Sequence, residues 1–383
     1  MWLFHAHKDP HSHSCLSHRE MVTEERRHSV GVLTLDWSWG SKPLQPNGCA
    51  WYRCWLPIKE LEKENWAVGM GFPGFHPDRG YGIVLQNKKA IHGWDVLIFK
   101  LLMDKRVEEH MEEGKKLGQK IVVDIDDWFD GLEETNRAYQ ATDPLNNPDN
   151  NREIYARIID QADAVITSTP FLYDIYSKKR KNVYLVRNGI DVDRWKKRKD
   201  RAKWRPTVGW VGATPWRSRD LEQLSSFIGS YLVLNKLKFH HSGHTLKAPL
   251  ASDQLEIPKS ICSTSPLITI LEYPRLFQKI DIGIVPLNDV PFNHAKSFIK
   301  GLEYAAAGVP FIASNNPEYN YLADHGVGRV ASTPGEWIHH LEELRDPVKR
   351  ANDVEENYEK LKQFTMDARR QDWVEVLSEI IAL

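Results

Sequence analysis

Cysteine is scarce in this chain of 383 residues, and the four that occur are Cys15, Cys49, Cys54 and Cys262. Their spacing matches no metal-binding pattern. Four cysteines are also too few for a disulfide-bonded scaffold in a chain of this length, so we expect a reducing compartment. The sequence therefore predicts a cytoplasmic protein.

Long hydrophobic runs are missing as well. No apolar run approaches the roughly 18 residues that a membrane-spanning helix needs, so we predict a soluble protein. The first 20 residues are polar and rich in histidine, and they lack the apolar core of a signal peptide. We predict a disordered leader over residues 1–28, with metal binding by its histidines as the alternative and Met21 as an alternative natural start.

The chain has no strong net charge of either sign. Lysine and arginine together number 51, aspartate and glutamate 52, and the formal net charge at pH 7 is −1. A chain-wide basic surface, which proteins that bind duplex nucleic acid usually carry, is absent, and we predict no nucleic-acid partner. Local basic runs at residues 178–181 and 196–203 are typical of solvated surface. The alternative for them is peripheral contact with an anionic membrane or another acidic partner.

Short apolar runs rich in β-forming residues alternate with longer helical patterns. Continuous apolar runs are typical of parallel strands that are buried on both faces. The runs predict strands at residues 30–35, 66–71, 95–100, 121–125, 164–168 and 183–186 in the first half, and at 207–212, 237–241, 267–271, 282–287, 310–313 and 328–331 in the second. This alternation predicts an α/β protein with two doubly wound, Rossmann-like parallel sheets.

The division into domains follows from a break in this alternation. Residues 192–206 are charged, end in proline and carry no apolar stripe, which indicates an interdomain linker. We predict one domain over residues 29–195, a second over 196–365, and a final helix over 366–383 that can cross back to the first domain. Residues 128–151 are polar and predict a long surface loop.

Residues 208–221 form the first motif that can carry chemistry. A strand ends at Gly212, a helix is predicted to begin near Ser218, and Ala213 and Arg217 lie between them. Small residues let a ligand approach the backbone, and the N–H groups at a helix start attract phosphate. The pattern is not the Gly-x-Gly-x-x-Gly of nicotinamide cofactors, and an ordinary strand-to-helix turn is the alternative.

Residues 291–310 form the second motif, in which a loop leads into a helix that ends at Gly308. Lys296 and Ser297 fall near the predicted N-terminus of this helix, where a diphosphate is stabilised by the helix dipole and by unpaired N–H groups. Glu303 lies two turns further along, and a carboxylate there can accept hydrogen bonds from both hydroxyls of a ribose. The alternative is a capped helix with a surface glutamate.

Several segments, in the same order, resemble the retaining glycosyltransferases of family 4, also called glycosyl transferases group 1. The resemblance covers residues from about 29 to the end of the chain. The segments that carry it are Gly48-Cys-Ala-Trp-Tyr-Arg-Cys-Trp-Leu-Pro57, Val122-Val-Asp-Ile-Asp-Asp127, Asn188-Gly-Ile-Asp191, Asp281-Ile-Gly-Ile-Val-Pro-Leu287, Lys296-Ser297 through Glu303, Gly308-Val-Pro310 and Ile312-Ala-Ser314.

The resemblance implies a GT-B fold, with an acceptor-side domain over residues 29–195 facing a donor domain over 196–365 across a cleft. It implies a nucleoside-diphosphate sugar as donor, no cofactor and no metal, and a glycan, lipid-linked or protein acceptor. The implied donor-binding residues are Gly48, Gly212, Ala213, Arg217, Asn293, His294, Lys296, Ser297, Phe298 and Glu303, with Glu303 holding the ribose. Tyr52 and Arg53 would line the acceptor side or the cleft.

Two positions depart from the family pattern. The family often has a glutamate eight residues before the ribose glutamate, where this chain has Ala295, so Asn293 or His294 would take over contacts to the donor sugar. The histidine of the family's His-Asp pair falls on Asp126, and Asp126 or Asp127 would then contact the transferred sugar. Together with Glu303, these two aspartates are the candidate catalytic residues.

The aspartates at residues 124–127 leave three interpretations open. An Asp-x-Asp pattern can hold a divalent metal, but glycosyltransferases use it so in their other, single-domain architecture. Contact with the sugar or acceptor, and a purely structural loop, are the alternatives. In the implied reaction Arg217 and Lys296 would stabilise the leaving diphosphate, and Asp126 or the departing phosphate would support the anomeric carbon.

Two other functions fit the same fold. A sugar-nucleotide epimerase needs acid and base groups in its site, and His240, His241 and His244 are candidates for these. A catalytically silent scaffold that binds a nucleotide sugar is favoured by Ala295 but not by Lys296 and Glu303. Turnover of the donor distinguishes the three functions.

Overall fold

The structure is a computed structural model, and it describes residues 28–38, 44–84, 90–142, 147, 150–198, 202–217 and 219–383. Of the predicted leader, only His28 lies within these residues. Cys15 and Ser218 lie outside them. Within the described ranges, no helix is long and apolar enough to cross a membrane.

The strands are β1 (Ser29–Thr34), β2 (Trp37–Ser38), β3 (Gln45–Pro46), β4 (Ala67–His76), β5 (Gly80–Val84), β6 (Ala90–Ile91), β7 (Val96–Lys100), β8 (Lys120–Ile125), β9 (Ala164–Thr167), β10 (Val183–Leu185), β11 (Thr207–Val211), β12 (Lys238–His244), β13 (Cys262–Pro266), β14 (Ile282–Val285), β15 (Phe311–Ser314) and β16 (Arg329–Ala331).

The α-helices are α1 (Gly48–Ala50), α2 (Leu56–Lys63), α3 (Lys105–Glu108), α4 (Met111–Lys116), α5 (Arg137–Thr142), α6 (Asn151–Gln161), α7 (Pro170–Ser177), α8 (Ser225–Leu234), α9 (Ala251–Gln254), α10 (Pro291–His294), α11 (Ile299–Ala306), α12 (Pro317–Asp324), α13 (Pro334–Arg345), α14 (Pro347–Lys360) and α15 (Arg370–Ala382).

The chain divides into two compact units. Unit 1 takes the described residues up to Trp128, together with Ala141–Gly189 and Met366–Leu383, and unit 2 takes Phe129–Gln140 and Ile190–Thr365. Helix α15 is part of unit 1, where its Trp373 is buried. Its Arg370 forms ion pairs with Glu60 in α2 and with Glu64 directly after α2.

In the described part of unit 1, the main sheet has eight strands in the order β10-β9-β8-β7-β1-β4-β5-β6. The strands from β10 to β4 pair in parallel, and the central strands β1, β7, β8 and β9 are apolar and buried almost throughout, as is typical of parallel strands. The parallel register places Thr34 beside Lys100 and Lys100 beside Asp124. The carboxyl ends of β1, β7 and β8 therefore meet at one edge of the sheet.

The antiparallel edge of this sheet is a difference from the sequence prediction. Strand β4 continues to His76, turns at Gly80 and pairs with β5, which pairs in turn with β6. The turn needs a glycine because Gly80 has a φ of +68°. The glycines and proline of this stretch hide the strand pattern in the sequence.

Unit 2 contains a parallel sheet whose described strands number six, in the order β13-β12-β11-β14-β15-β16. Its central strands are buried in a core that includes Val208, Phe239, Ile282 and Ile312. The strand predicted at residues 267–271 is wrong, because the strand that pairs with β12 is β13, at Cys262–Pro266. Strand β13 is a polar and mostly exposed edge strand, whereas the apolar residues that follow it form no strand.

Two segments that the sequence predicts as irregular contain residues with defined contacts in unit 2. In the stretch predicted as a linker, Trp195 is buried and Arg198 pairs with the buried Asp281 at 2.5 Å. In the stretch predicted as a surface loop, helix α5 forms and the buried Asn136 donates a hydrogen bond to the carbonyl of Trp216 at 3.3 Å. The sequence pattern does not predict these contacts, because both stretches are charged or polar and the partner residues lie far along the chain.

Candidate active site

The turn after β11 is held rigidly by β12. The N–H of Gly212 donates to the carbonyl of Ser242 at 2.9 Å, and the carbonyl of Gly212 lies 3.0 Å from Nε2 of His241. Gly243 has a φ of +91°, and a Cβ on it would lie 3.1 Å from the Gly212 carbonyl oxygen. Glycine at position 243 therefore allows the two backbones to approach, and the Gly212 peptide is fixed at both its polar groups.

His241 is neutral in this arrangement. Its Nδ1 accepts a hydrogen bond from the N–H of Ala251 at 3.2 Å, so Nε2 carries the proton and donates it to Gly212. Burial lowers the pKa of His241, and the nearby His244 lowers it further, against the Gly212 hydrogen bond. The side chain serves to position the turn.

Ala213 and Arg217 follow this turn, on either side of a short 3-10 turn at Thr214–Trp216. Trp216 is 47% exposed, and the guanidinium of Arg137 lies over its ring at 5.3 Å. The helix predicted near Ser218 begins later, because α8 starts at Ser225 after a 3-10 turn at Glu222–Leu224. Arg217 is half-buried.

Asp220 connects this turn to the loop before α11. Its Oδ1 accepts hydrogen bonds from the N–H of Asn288 at 3.1 Å and from Nδ2 of Asn293 at 2.5 Å. Nδ2 of Asn293 also donates to the carbonyl of Asn288 at 3.1 Å. Because this amide group is buried and engaged within unit 2, Asn293 shapes the loop, whereas the resemblance implies a contact with the donor sugar.

The segment predicted as a loop before the donor helix contains a short helix of its own. Helix α10 ends at His294, Lys296 and Ser297 lie in the break, and α11 begins at Ile299 with Phe298 as its N-cap. Phe298 is fully buried, with its ring 5.6 Å from that of Phe364, and it anchors the break. Lys296 and Ser297 thus lie directly before the helix N-terminus, where an anion is stabilised.

Ala295 and its neighbours occupy the position where the family that the sequence resembles often has a glutamate. Ala295 is fully buried. Nε2 of His294 lies 2.6 Å from Oδ1 of Asp289, and this ring is partly exposed. The ammonium of Lys296 lies 4.1 Å from the centre of the Phe292 ring, a cation–π contact.

Glu303 is only 3% exposed, and a buried carboxylate needs a positive partner. Its Oε2 accepts hydrogen bonds from Nζ of Lys300 at 2.5 Å and from the hydroxyl of Tyr273 at 3.2 Å. Burial lowers the pKa of Lys300, Glu303 raises it, and Arg217 lowers it again. The positive charge of Arg217 therefore acts on the same cluster.

The residue next to Glu303 joins α11 to β11. The hydroxyl of Tyr304 accepts a hydrogen bond from the N–H of Val211 at 3.1 Å and donates to the carbonyl of Gly209 at 3.2 Å. Tyr304 is fully buried, and burial raises its pKa well above the ordinary value. The structure thus brings the Gly212 turn, Arg217 and Glu303 into one site of unit 2.

A second polar cluster lies at the carboxyl edge of the unit 1 sheet. The ammonium of Lys100, at the end of β7, lies 2.9 Å from Oδ1 of Asp124 and 2.5 Å from Oδ1 of Asp126. Nη2 of Arg53 pairs with Oδ2 of Asp124 at 2.6 Å. Asp126 is partly exposed, whereas the other three side chains are buried.

The structure places Arg53 in the interior, whereas the resemblance implies a contact at the acceptor side or the cleft. The side chain is 1% exposed, and its Nη1 donates to the carbonyl of Val186 at 2.7 Å and to Oδ1 of Asn188 at 3.1 Å. Its guanidinium also lies over the ring of Trp373 at 5.1 Å. Tyr52 is buried as well. Arg53 therefore supports the cluster from inside unit 1.

The glycine segment of unit 1 begins with an exposed residue. A Cβ on Gly48 would meet no atom within 4 Å, so the backbone there is open to a ligand. Oδ2 of Asp36 accepts a hydrogen bond from the N–H of Ala50 at 2.9 Å and fixes α1. A π-helical turn at Trp51–Trp55 follows, and such turns are frequent at functional sites.

Cys49, Asp126 and Asp127 form a group whose ligand atoms lie within 4.8 Å of one another. Two observations weigh against a divalent cation there. The ammonium of Lys100 already offsets the charge of Asp126. Burial, followed by the charge of Asp126, raises the pKa of the Cys49 thiol well above its ordinary value, so the thiol stays protonated.

The histidines of β12 are engaged inside unit 2. Nδ1 and Nε2 of His240 lie 2.7 and 3.1 Å from the hydroxyls of Ser263 and Ser265, and burial lowers the pKa of His240 to about 4. His241 uses both ring nitrogens on the backbone, as described above. The ring nitrogens of His240 and His241 are thus engaged in contacts that hold the fold of unit 2. This weakens the case for an epimerase, which would need such groups as acid and base.

Lys300, Tyr273, Asp220 and Lys100 are site residues that the sequence analysis does not identify. Lys300 had a signal, since a lysine three residues before a glutamate on one helix lies on the same face. Tyr273, Asp220 and Lys100 had none, because each contacts its partner across a long stretch of chain.

Comparison with known proteins establishes the fold. No family model matches the chain, and no curated protein matches its sequence. A sucrose-phosphate synthase from Thermosynechococcus elongatus gives a TM-score of 0.65 at 13% identity, over 93% of this chain and 100% of that chain. HepE from Anabaena, in complex with UDP and glucose, gives 0.59 at 13% identity, over 92% and 100%. A UDP-forming trehalose-phosphate synthase from Burkholderia xenovorans gives 0.50 at 12% identity, over 74% of each chain.

These solved structures are glycosyltransferases of the GT-B type, and the predicted fold class is confirmed. At identities this low the similarity concerns the fold, so the reaction has to be argued from the site. The chain has an α/β fold with two Rossmann-like parallel sheets, the fold of GT-B glycosyltransferases.

Proposed function

We propose that this protein is a glycosyltransferase that moves a sugar from a nucleoside-diphosphate sugar to a glycan, lipid-linked or protein acceptor, with retention of the anomeric configuration. The observation that carries the proposal is the site in unit 2 that combines the fixed Gly212 turn, Arg217 and the buried Glu303. Glycine backbone, a cation and a buried carboxylate are the groups that a diphosphate and a ribose require.

Within this proposal, unit 2 binds the donor, as the resemblance implies for residues 196–365. The carboxylate of Glu303 accepts the ribose hydroxyls. The diphosphate lies against the Gly212-Ala213 backbone, Arg217, Lys296 and the N-terminus of α11. These groups stabilise the negative charge that grows on the diphosphate as the bond to the sugar breaks, and preorganised charges of this kind give large rate effects.

The proposal assigns the acceptor side to unit 1, as predicted for residues 29–195, and a role in donor binding to Gly48, whose backbone is open. Asp126 is the candidate that supports positive charge at the anomeric carbon, because Lys100 holds its carboxylate in place and it is partly exposed. Asp127 is the second candidate in that role. No metal and no cofactor are required in this scheme.

A panel of nucleotide sugars tests the proposal. UDP-, GDP-, ADP- and TDP-sugars are incubated with the protein, and release of free nucleoside diphosphate is followed. The solved HepE complexes contain UDP and UDP-glucose, so UDP-sugars are the first probes. We expect release from one donor, and we expect Glu303→Ala to abolish it. The matched control is Glu359→Ala, which removes an exposed glutamate of the same unit.

The buried Ala295 favours one alternative, a scaffold that binds a nucleotide sugar without transferring the sugar. Thermal stabilisation by a donor without release of nucleoside diphosphate, also after acceptors are supplied, would support that alternative. Neither release nor stabilisation by any donor of the panel would contradict the assignment of the donor site.

A further inference from the structure

Lys300 has an unusual position for a lysine. It is the second residue of α11, where the positive end of the helix dipole disfavours a cation. Its side chain is only 15% exposed, and its ammonium lies 5.1 Å and 6.0 Å from the ring centres of Tyr273 and Phe277. A lysine is rarely buried at a helix start unless local contacts offset the cost.

The contacts that offset this cost all lead to the candidate ribose-binding carboxylate. Nζ of Lys300 donates to Oε2 of Glu303 at 2.5 Å and to the hydroxyl of Tyr273 at 2.5 Å, and that hydroxyl donates to the same Oε2 at 3.2 Å. Each of the three side chains therefore contacts the other two. Such a closed network restricts the carboxylate to one orientation.

The charge balance points the same way. Burial of a carboxylate is costly unless a cation is close to it, and the ammonium of Lys300 is in direct contact with the buried Glu303. Burial lowers the pKa of Lys300, as does the charge of Arg217, while Glu303 opposes both. The lysine and the glutamate thus offset each other's charge, and removal of either takes away the ion-pair partner that the other has in this pair.

We infer that Lys300, together with Tyr273, is a positioning residue that holds the Glu303 carboxylate in the orientation that accepts the ribose hydroxyls, and so makes the site select ribonucleotides over 2′-deoxyribonucleotides. This inference rests on the proposed function, in which Glu303 binds the ribose. Lys300 itself acts through Glu303 and leaves the diphosphate to Arg217 and Lys296.

The test measures how strongly each variant prefers a ribonucleotide. UDP, GDP and ADP, each beside its 2′-deoxy counterpart, are titrated calorimetrically against the protein. We expect the native protein to bind at least one ribonucleoside diphosphate about tenfold or more tightly than its 2′-deoxy form, since a hydrogen bond to a charged group is lost. Glu303→Gln should reduce this preference several-fold.

Lys300→Met should reduce the preference by a similar factor, while affinity for the 2′-deoxy nucleotide changes by less than about threefold. The double variant K300M/E303Q should lose no more preference than either single variant, because residues that act as one unit are not additive. It also removes both buried charges, so it remains folded even where K300M alone is destabilised. Lys300→Arg should restore part of the preference.

Lys362→Met is the matched control, because Lys362 also pairs with a glutamate three residues away but lies exposed in the same unit. It should leave all affinities unchanged. If K300M keeps the native preference while E303Q loses it, the inference is wrong and the proposed site stands. If K300M weakens ribo- and deoxyribonucleotides equally, Lys300 does not act through Glu303. If E303Q keeps the preference, or no nucleotide binds, the proposed function itself fails.

Discussion

Replacement of Arg53 by methionine should strongly destabilise unit 1. The guanidinium is 1% exposed and donates to Asp124, to the carbonyl of Val186 and to Asn188, and it also lies over Trp373. Methionine is unbranched and apolar and donates no hydrogen bond, so Lys100 would remain as the cationic partner of Asp124. Breaking a buried ion pair from one side costs about 3–5 kcal/mol.

This free energy translates into a large shift of the melting temperature. For a unit of this size each kcal/mol shifts Tm by about 2–4 °C, so we expect a decrease of roughly 6–20 °C. The measurement is thermal and urea unfolding followed by circular dichroism, and the unfolding of the two units has to be separated before the free energy is assigned.

Two variants make this prediction specific. Arg106→Met removes an arginine that is 85% exposed and pairs with Asp104, and exposed pairs of this kind are worth about 0–1 kcal/mol. The double variant R53M/D124L replaces Arg53 and Asp124 by apolar groups and leaves Asp126 as the partner of Lys100, so it should recover part of the lost stability. A loss of less than about 1 kcal/mol in R53M, equal to that of R106M, would refute the burial and pairing on which this reasoning depends.

Two further predictions concern unit 2. The pKa of His240 is about 4 in the folded protein and about 6.5 in the unfolded chain. His240 therefore stabilises the fold above pH 6.5 and loses this contribution as the pH falls towards 4. The unfolding free energy measured across this range should decrease as the pH falls, and H240N should remove part of this pH dependence. Gly243→Ala forces a side chain into a backbone φ of +91° and towards the Gly212 carbonyl. The substitution should lower the unfolding free energy by about 1 kcal/mol or more and weaken nucleotide binding, as measured by urea unfolding and calorimetric titration. Unchanged stability and affinity would contradict the role of Gly243 in the turn.

The central strands of both sheets could be predicted from the sequence, because strands buried on both faces are continuous apolar runs such as Val96–Lys100 and Ile282–Val285. The edge strand β13 could not, since Cys262–Pro266 is polar and mostly exposed. The sequence analysis placed the strand at the nearby residues 267–271 because they are apolar. Hydrophobicity reports burial, and an edge strand is held mainly by backbone hydrogen bonds.

The candidate site shows the same division. Gly212, Lys296 and Glu303 follow from local signals, a strand end, a helix start and helical spacing, which one stretch of sequence contains. The burial of Arg53 and the role of Asp220 depend on partners more than 65 residues away along the chain. No local pattern distinguishes a buried, paired arginine from one that faces a ligand.

The most direct test of the central claim is whether Arg217 and the Gly212 turn bind a diphosphate. UDP, GDP and ADP are titrated against the native protein, Arg217→Met, and Arg205→Met as an exposed arginine of the same unit. We expect one nucleoside diphosphate to bind, with affinity that falls with added salt, drops about tenfold or more in R217M, and is unchanged in R205M. Equal affinity in R217M and the native protein, or no binding at all, would contradict the proposed donor site.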